Sequence, residues 1–86
     1  MSKRIFKYEL GACERQTLSL PVSSTLLSVA SQNGHLVLWA EVDTDLPERN
    51  FEFAVCCTGE ESPESYTFFL GTVQISELVF HVFALN

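Results

Sequence analysis

Residues 26–40 read LLSVASQNGHLVLWA, two apolar runs on either side of an Asn-Gly pair. Asn33 and Gly34 both tolerate positive φ, which a type I′ turn requires at its two central positions. The stretch therefore predicts a β-hairpin, with one strand before the pair and one after it. A helix over 24–32, ended by Gly34, is the alternative that the same residues leave open.

Apolar and polar residues alternate with a period of two along most of the remaining chain. Phe6, Tyr8 and Leu10 are expected on one face of a first strand, with Lys7 and Glu9 on the other. The same pattern predicts further strands over 16–22, 66–75 and 78–83, and one that begins at Phe51 and ends at Thr58-Gly59.

Polar loops over 43–50 and 60–65 separate these strands, and Gly71 is expected to mark a bulge or a close approach of two backbones. The pattern predicts an all-β domain with at most one short helix. Its architecture is expected to be a small antiparallel β-sandwich or partly open barrel of six to seven strands.

Length and composition indicate one folded domain over residues 1–86. Hydrophobic residues make up 47% of the chain and charged residues 19%, which excludes a disordered tail. No apolar run approaches the ~18 residues that a membrane-spanning helix needs. Charges also interrupt the amino-terminal stretch that a signal peptide keeps apolar. The protein is therefore expected to be soluble and cytoplasmic, with no membrane partner.

The charges are unevenly placed. The chain has 5 Lys+Arg against 11 Asp+Glu, and only Arg49 among the basic residues lies beyond residue 15. An acidic body of this kind excludes duplex nucleic acid as a partner, because phosphate contacts need clustered Lys and Arg. It leaves open a basic protein partner or a local basic pocket for a compact anion.

The three cysteines and two histidines predict neither a disulfide framework nor a metal site. Cys56 and Cys57 are adjacent, so they are expected to face opposite sides of a strand, and Cys13 is expected to be a loop thiol. His35 and His81 do not lie in paired zinc-ligand spacings. We therefore expect no metal, no cofactor and full stability in reductant and in chelator.

Motifs for catalysis are missing from the sequence. It contains no G-x-S-x-G, no Gly-rich phosphate loop and no H-E-x-x-H, so no catalytic residue is assigned and an enzyme is not expected. His81 is expected to be buried and hydrogen-bonded, with a ligand contact or a general base as the alternatives. A Cys–His pair that meets only in space stays open.

Two predicted strands, 36–40 and 78–83, are apolar on both faces apart from His81. In an antiparallel strand with one solvent-exposed face, apolar and polar residues alternate instead. Since the sequence offers no confident amphipathic helix to cover the second face, a second copy of the chain is the expected cover. This predicts a homodimer or a higher homo-oligomer.

The candidate ligand-binding residues are Arg4, Lys7, Tyr8, Trp39 and His81. Arg4 is favoured for a phosphate because its planar fork can donate two hydrogen bonds. It shares a strand face with Tyr8, whereas Lys7 lies on the opposite face. Trp39 or Tyr8 would stack on a base. The plainer interpretations are a core position for Trp39 and a solvated edge charge for Arg4.

Short stretches in order along the chain carry a family resemblance: 3–10, 32–34, 38–40 with 42–43, 71–74 and 79–83. They resemble a family of very small proteins that bacteriophages and prophages encode and that carry a domain of unknown function. Thr58-Gly59 and Phe80-His81 also fit the family pattern, whereas Cys56-Cys57 does not. No site residue is carried over from the family.

The resemblance implies a phage accessory protein that acts in the cytoplasm of a bacterial host. Small acidic phage proteins without catalytic motifs often blunt host defences. The expected function is therefore to sequester a nucleotide-type immune messenger in a pocket of the oligomer, without cleaving it. One alternative is an acidic protein inhibitor that binds a host defence complex, and another is a structural or regulatory phage protein.

Overall fold

Strands form wherever the sequence alternates with a period of two. The computed structural model describes residues 2–12 and 14–86, and these form seven strands and no helix. The strands are β1 (Lys3–Leu10), β2 (Arg15–Pro21), β3 (Thr25–Gln32), β4 (His35–Asp43), β5 (Glu48–Cys57), β6 (Phe68–Ile75) and β7 (Leu78–Ala84). The predicted all-β class is confirmed.

The β3–β4 hairpin forms at the Asn-Gly pair, with φ values of 52° at Asn33 and 79° at Gly34. Gln32 pairs directly with His35, and the ladder continues back to Thr25 across from Glu41. The alternative helix over 24–32 is therefore wrong. Positive φ at both turn residues directs the segment back along β4, where its backbone groups join a ladder.

Two antiparallel sheets pack face to face. Sheet A has the strand order β1-β4-β3, and sheet B has the order β2-β5-β7-β6. β3 lies against β6, so the sheets meet at that side, while β1 and β2 end them at the other. Side chains from both sheets form the core: Leu10, Leu20, Leu36, Leu38, Ala40, Val42, Phe51, Phe53, Val55, Val73, Phe80, Val82 and Ala84. This is the predicted small antiparallel sandwich.

Two predicted boundaries need correction. The polar loop expected over 43–50 is shorter, because β4 runs to Asp43 and β5 begins at Glu48. Glu48 pairs with Pro21, so the partner strand β2 extends β5 into the polar residues. The sixth strand begins at Phe68 and not at Tyr66.

Gly71 marks the predicted bulge. The β6–β7 register shifts between Phe69 and Gly71, and the φ of Gly71 is 152°. A Cβ at this position would lie 3.0 Å from Cγ2 of Val29 in β3. The missing side chain therefore leaves room for the Val29 side chain between β6 and β3, where the two sheets meet.

The cysteine prediction is partly wrong. Cys57 is disulfide-bonded, whereas Cys56 is a free thiol. Cys57 packs against the core and Cys56 is half-buried on the other face of β5, so their predicted opposite orientation is confirmed. Cys13, expected to be a loop thiol, lies outside the described residues. Sequence spacing missed the disulfide because such a bond depends on approach in space.

Candidate functional site

Basic residues concentrate on β1, the end strand of sheet A. Lys3, Arg4 and Lys7 lie on it, and all three are exposed. Among the described strands, β1 pairs with β4 alone, so the backbone groups on its second side face no strand of the same chain. We call Lys3–Leu10, with this unpaired side, the basic edge. It places three of the chain's five Lys and Arg residues on one strand.

Arg4 and Tyr8 share the inward face of the basic edge. Arg4 pairs with Val42 and Tyr8 with Leu38, and both of these partners belong to the core. Directly opposite residues share a sheet face. Phe6 lies between them on the same face and is 40% exposed. One guanidinium and two rings therefore line the inward face of β1.

Tyr8 is half-buried and packs against the core. Burial raises the pKa of its phenol, and the negative charge of Glu48 raises it further. The hydroxyl therefore keeps its proton at neutral pH and can act as a hydrogen-bond donor.

Lys7 and Trp39 lie on the outer face of sheet A, which is the face turned away from sheet B. The two residues pair directly across the β1–β4 ladder. Lys7 Nζ also donates a hydrogen bond to Gln32 Oε1 on β3, at 2.5 Å. Trp39 is half-buried. An ammonium and an indole are thus neighbours here, on the face opposite to Arg4 and Tyr8.

His81 lies in the other sheet, on the outer face of sheet B. It is half-buried, Thr58 Oγ1 lies 2.7 Å from its Nε2, and Thr72 Oγ1 lies 3.0 Å from its Nδ1. In a neutral imidazole one nitrogen donates and the other accepts, and a hydroxyl can do either. Both ring nitrogens are therefore engaged, in agreement with the hydrogen-bonded role predicted for His81.

Cys56 pairs directly with His81 across the β5–β7 ladder, so the two residues do meet in space. Burial raises the pKa of the Cys56 thiol, and the charge of Glu60 raises it further. A thiolate is the nucleophilic form of cysteine, and this environment disfavours it. With both nitrogens of His81 bound to threonine hydroxyls, the pair lacks an activated nucleophile.

Parts of the same chain cover the second faces of the two apolar strands. On β7, Phe83 is 9% exposed, and the rings of Tyr66 and Phe69 lie 4.8 and 5.2 Å from its ring centre. On β4, the outward Val37 is only 2% exposed. Apolar residues on both faces of these strands therefore do not by themselves require a second copy of the chain.

An acidic groove of about 510 Å³ lies between the start of β2, the end of β5 and the loop after it. Glu14, Glu60, Glu61 and Glu64 line it, with Arg15 as the cation among them. Four carboxylates repel phosphate groups and favour a basic group. The groove is therefore unsuited to an anionic ligand.

Metal-binding clusters and membrane-spanning helices are both absent from residues 2–12 and 14–86. No three or more His, Cys, Asp or Glu side chains come together there in a group that could hold a metal ion. Nor does this part of the chain contain a helix of the length and apolarity needed to cross a bilayer.

The structure thus divides the candidate ligand-binding residues into three places. Arg4 and Tyr8 share the inward face of β1, Lys7 and Trp39 share the outer face of sheet A, and His81 lies on sheet B. The sequence missed the contacts of Lys7 with Gln32 and of His81 with Thr58 and Thr72. Gln32 could have been placed opposite His35 from the hairpin turn, but the threonines come from segments whose register the sequence does not reveal.

Comparison with known proteins adds one finding. A family model described as Domain of unknown function (DUF7352) matches residues 1–86. No curated protein and no solved structure matches the chain.

Proposed function

We propose that this chain, which belongs to the family described as Domain of unknown function (DUF7352), is a non-enzymatic binding protein that sequesters a nucleotide-type signalling molecule. The ligand is held in a pocket formed between copies of the chain. The sequence resemblance to phage and prophage proteins supports a counter-defence role in the cytoplasm of a bacterial host.

One observation carries this proposal: the basic edge joins cations to aromatic rings in a chain of net charge -6. Arg4 is exposed on the same face as Phe6 and Tyr8, and Lys7 lies beside Trp39 on the other face. Cations can meet phosphates while rings stack on bases. Elsewhere in the described chain, acidic residues dominate the surface and disfavour such a ligand.

The chemistry of Cys56 and His81 supports binding without catalysis. The raised pKa of Cys56 keeps its thiol protonated, and His81 is bound on both nitrogens. A nucleophile needs an adjacent base that is free to take its proton. Arg4, the residue proposed to meet the phosphate, supplies charge but no base, because a guanidinium stays protonated.

Melting experiments with a panel of cyclic dinucleotides and ADP-ribose derivatives test the proposal. A ligand present at about 100 times its Kd stabilises the folded state by about 2.7 kcal/mol, which corresponds to roughly 10–20 °C for a domain of this size. We expect at least one compound to raise the melting temperature and to be recovered chemically intact. No shift with any compound, or a cleaved product, contradicts the proposal.

Arg4→Ala should weaken the binding of that compound by about 10- to 150-fold, which corresponds to about 1.5–3 kcal/mol for a charged hydrogen bond. Isothermal titration calorimetry measures the change. Arg15→Ala is the matched control, since it removes an exposed arginine from β2 and should leave the affinity unchanged. Equal affinities of Arg4→Ala and wild type would remove Arg4 from the site.

The acidic groove favours a second candidate, an acidic inhibitor of a host defence protein. Three of its four glutamates, Glu60, Glu61 and Glu64, lie on the loop that leads towards three exposed rings. These rings, Tyr66, Phe68 and Phe69, are 43–49% exposed. Acidic and aromatic groups together suit a basic protein surface. This candidate predicts that the protein ignores the whole nucleotide panel and binds a basic protein partner in a salt-dependent manner.

A further inference from the structure

The unpaired side of β1 is a long strand edge with apolar side chains. Ile5 is 62% exposed and Phe6 is 40% exposed, and the strand holds eight residues. Exposed edges of this length pair readily with another strand, unless their side chains oppose it. The charges along β1 therefore decide which partner strand it accepts.

A second copy of β1 can pair antiparallel with the first only in certain registers. Two-fold symmetry places one residue opposite its own copy, and directly opposite residues share a sheet face. Centring the pair on Ile5 places Lys3 against Lys7, and centring it on Lys7 places Lys7 against itself. Like charges directly opposite one another are destabilising, so both registers are disfavoured.

Centring the pair on Phe6 makes the same strands complementary. Lys3 of each copy then lies opposite Glu9 of the other, which forms two ionic pairs, and the two Phe6 rings meet at the symmetry axis. A register centred on Tyr8 also pairs Lys7 with Glu9, but it joins only the carboxyl-terminal part of β1 and leaves Ile5 exposed. The Phe6 register is the longest of these with opposite charges paired.

We propose that β1 pairs antiparallel with β1 of a second copy, Phe6 against Phe6, so that two copies of sheet A form one continuous sheet. The inference rests on the homo-oligomer of the proposed function and specifies where its copies meet. Glu9 contacts His35 Nδ1 through Oε1 at 3.5 Å within one chain. The second oxygen of this carboxylate takes no part in that contact, so it can accept a hydrogen bond from Lys3 of the second copy.

This pairing also brings Arg4 of one copy opposite Tyr8 of the other, twice and on one face of the joined sheet. Within one chain, four residues along a strand separate Arg4 from Tyr8 by about 13 Å. Across the pair, directly opposite Cβ atoms are about 4.5–5.5 Å apart. The β1–β1 interface therefore places the guanidinium of Arg4 beside the Tyr8 ring of the other copy. The two-fold symmetry repeats this pair, an arrangement that fits a compact anion with aromatic bases.

Among the other end strands, β3 and β6 hold no charged residue, and the unpaired edge of β2 lacks this complementarity. Arg15 is its single charged residue, and Pro21 at its end cannot donate a hydrogen bond. Self-pairing of β2 gains no ionic pair in any register. The charge pattern therefore selects β1, and Arg15 provides a matched control position.

Charge reversal tests the interface through the mass in solution, measured by light scattering at micromolar concentration. We expect the wild type to have twice the 9.6 kDa mass of one chain. Lys3→Glu places a second carboxylate opposite Glu9 at both ends of the pairing, so the dissociation constant should rise about tenfold or more. The double variant Lys3→Glu/Glu9→Lys restores opposite charges and should recover the two-chain mass. Arg15→Glu makes the same charge change on β2 and should leave the mass unaltered.

Far-UV circular dichroism confirms that each variant stays folded, and rescue by the double variant excludes a folding defect of Lys3→Glu as the cause. A one-chain mass for the wild type, or a two-chain mass that Lys3→Glu leaves unaltered, overturns the inference. Failure of the nucleotide panel with the two-chain mass intact removes the proposed function and leaves the interface standing.

Discussion

Phe53→Ala should lower the free energy of unfolding by about 3–5 kcal/mol, the usual cost of truncating a fully buried phenylalanine. Phe53 is 0% exposed in the middle of β5, between Gln16 on β2 and Ala84 on β7. The removed ring leaves a cavity that neighbouring strands, held by their ladders, cannot fill. Because a domain of this size has a total stability of about 5–15 kcal/mol, the variant should be near its unfolding threshold.

Urea denaturation monitored by circular dichroism measures the free energy of unfolding of the wild type and of the variant. Phe68→Ala is the matched control, since it makes the same chemical change at a ring that is 43% exposed at the start of β6. We expect it to cost much less than Phe53→Ala. Equal losses for the two variants would show that the core does not lie where the two sheets face each other.

A reducing agent should destabilise the protein by about 2–4 kcal/mol, the usual contribution of a disulfide, which corresponds to roughly 10–30 °C in melting temperature. Cys57 is disulfide-bonded, and it lies at the end of β5 against the core. Breaking the bond enlarges the unfolded ensemble and so favours unfolding. Differential scanning calorimetry with and without reductant measures the shift.

Two variants show which cysteine is responsible for the shift in melting temperature. Cys57→Ala should melt at the lower temperature in both buffers, whereas Cys56→Ala keeps the disulfide and should still respond to reductant, because Cys56 is a free thiol. A wild-type protein that melts at one temperature in both buffers would restore the expectation drawn from the sequence. A disulfide of this kind is also more common in oxidising compartments than in the bacterial cytoplasm. A fall in melting temperature with reductant would therefore count against the proposed cytoplasmic location.

Local patterns predicted local structure well. The pair Asn33-Gly34 specifies its turn through two positive φ values, and Gly71 signals a bulge through the absence of a side chain. Both effects depend on a few neighbouring residues, so the sequence reveals them. The loop before β5 was predicted too long because Glu48 becomes strand only through its pairing with Pro21, a partner far away in the chain.

The site was harder to predict because it depends on which strands become neighbours. Alternation correctly separated Arg4 and Tyr8 from Lys7, since the faces of one strand follow from its sequence. It could not show that Trp39 lies opposite Lys7, or that His81 belongs to a different sheet. Those relations depend on the register between strands that are distant in the sequence. That register is determined by the packing of the whole core and not by local sequence.

The strand order also constrains how a growing chain can fold during synthesis. Sheet A is built from β1, β3 and β4, and its last residue is Asp43, whereas β2 belongs to sheet B and has its partner β5 only after Glu48. Until β5 has been synthesised, β2 therefore has no partner strand. The strands before and after it in the chain, β1 and β3, can already pair with β4. Translation adds about 5–20 residues per second, far slower than hairpin formation. The β3–β4 hairpin thus has time to form first on the ribosome. The emergence of β5 then gives β2 its partner, and sheet B is complete only after β6 and β7 have been added.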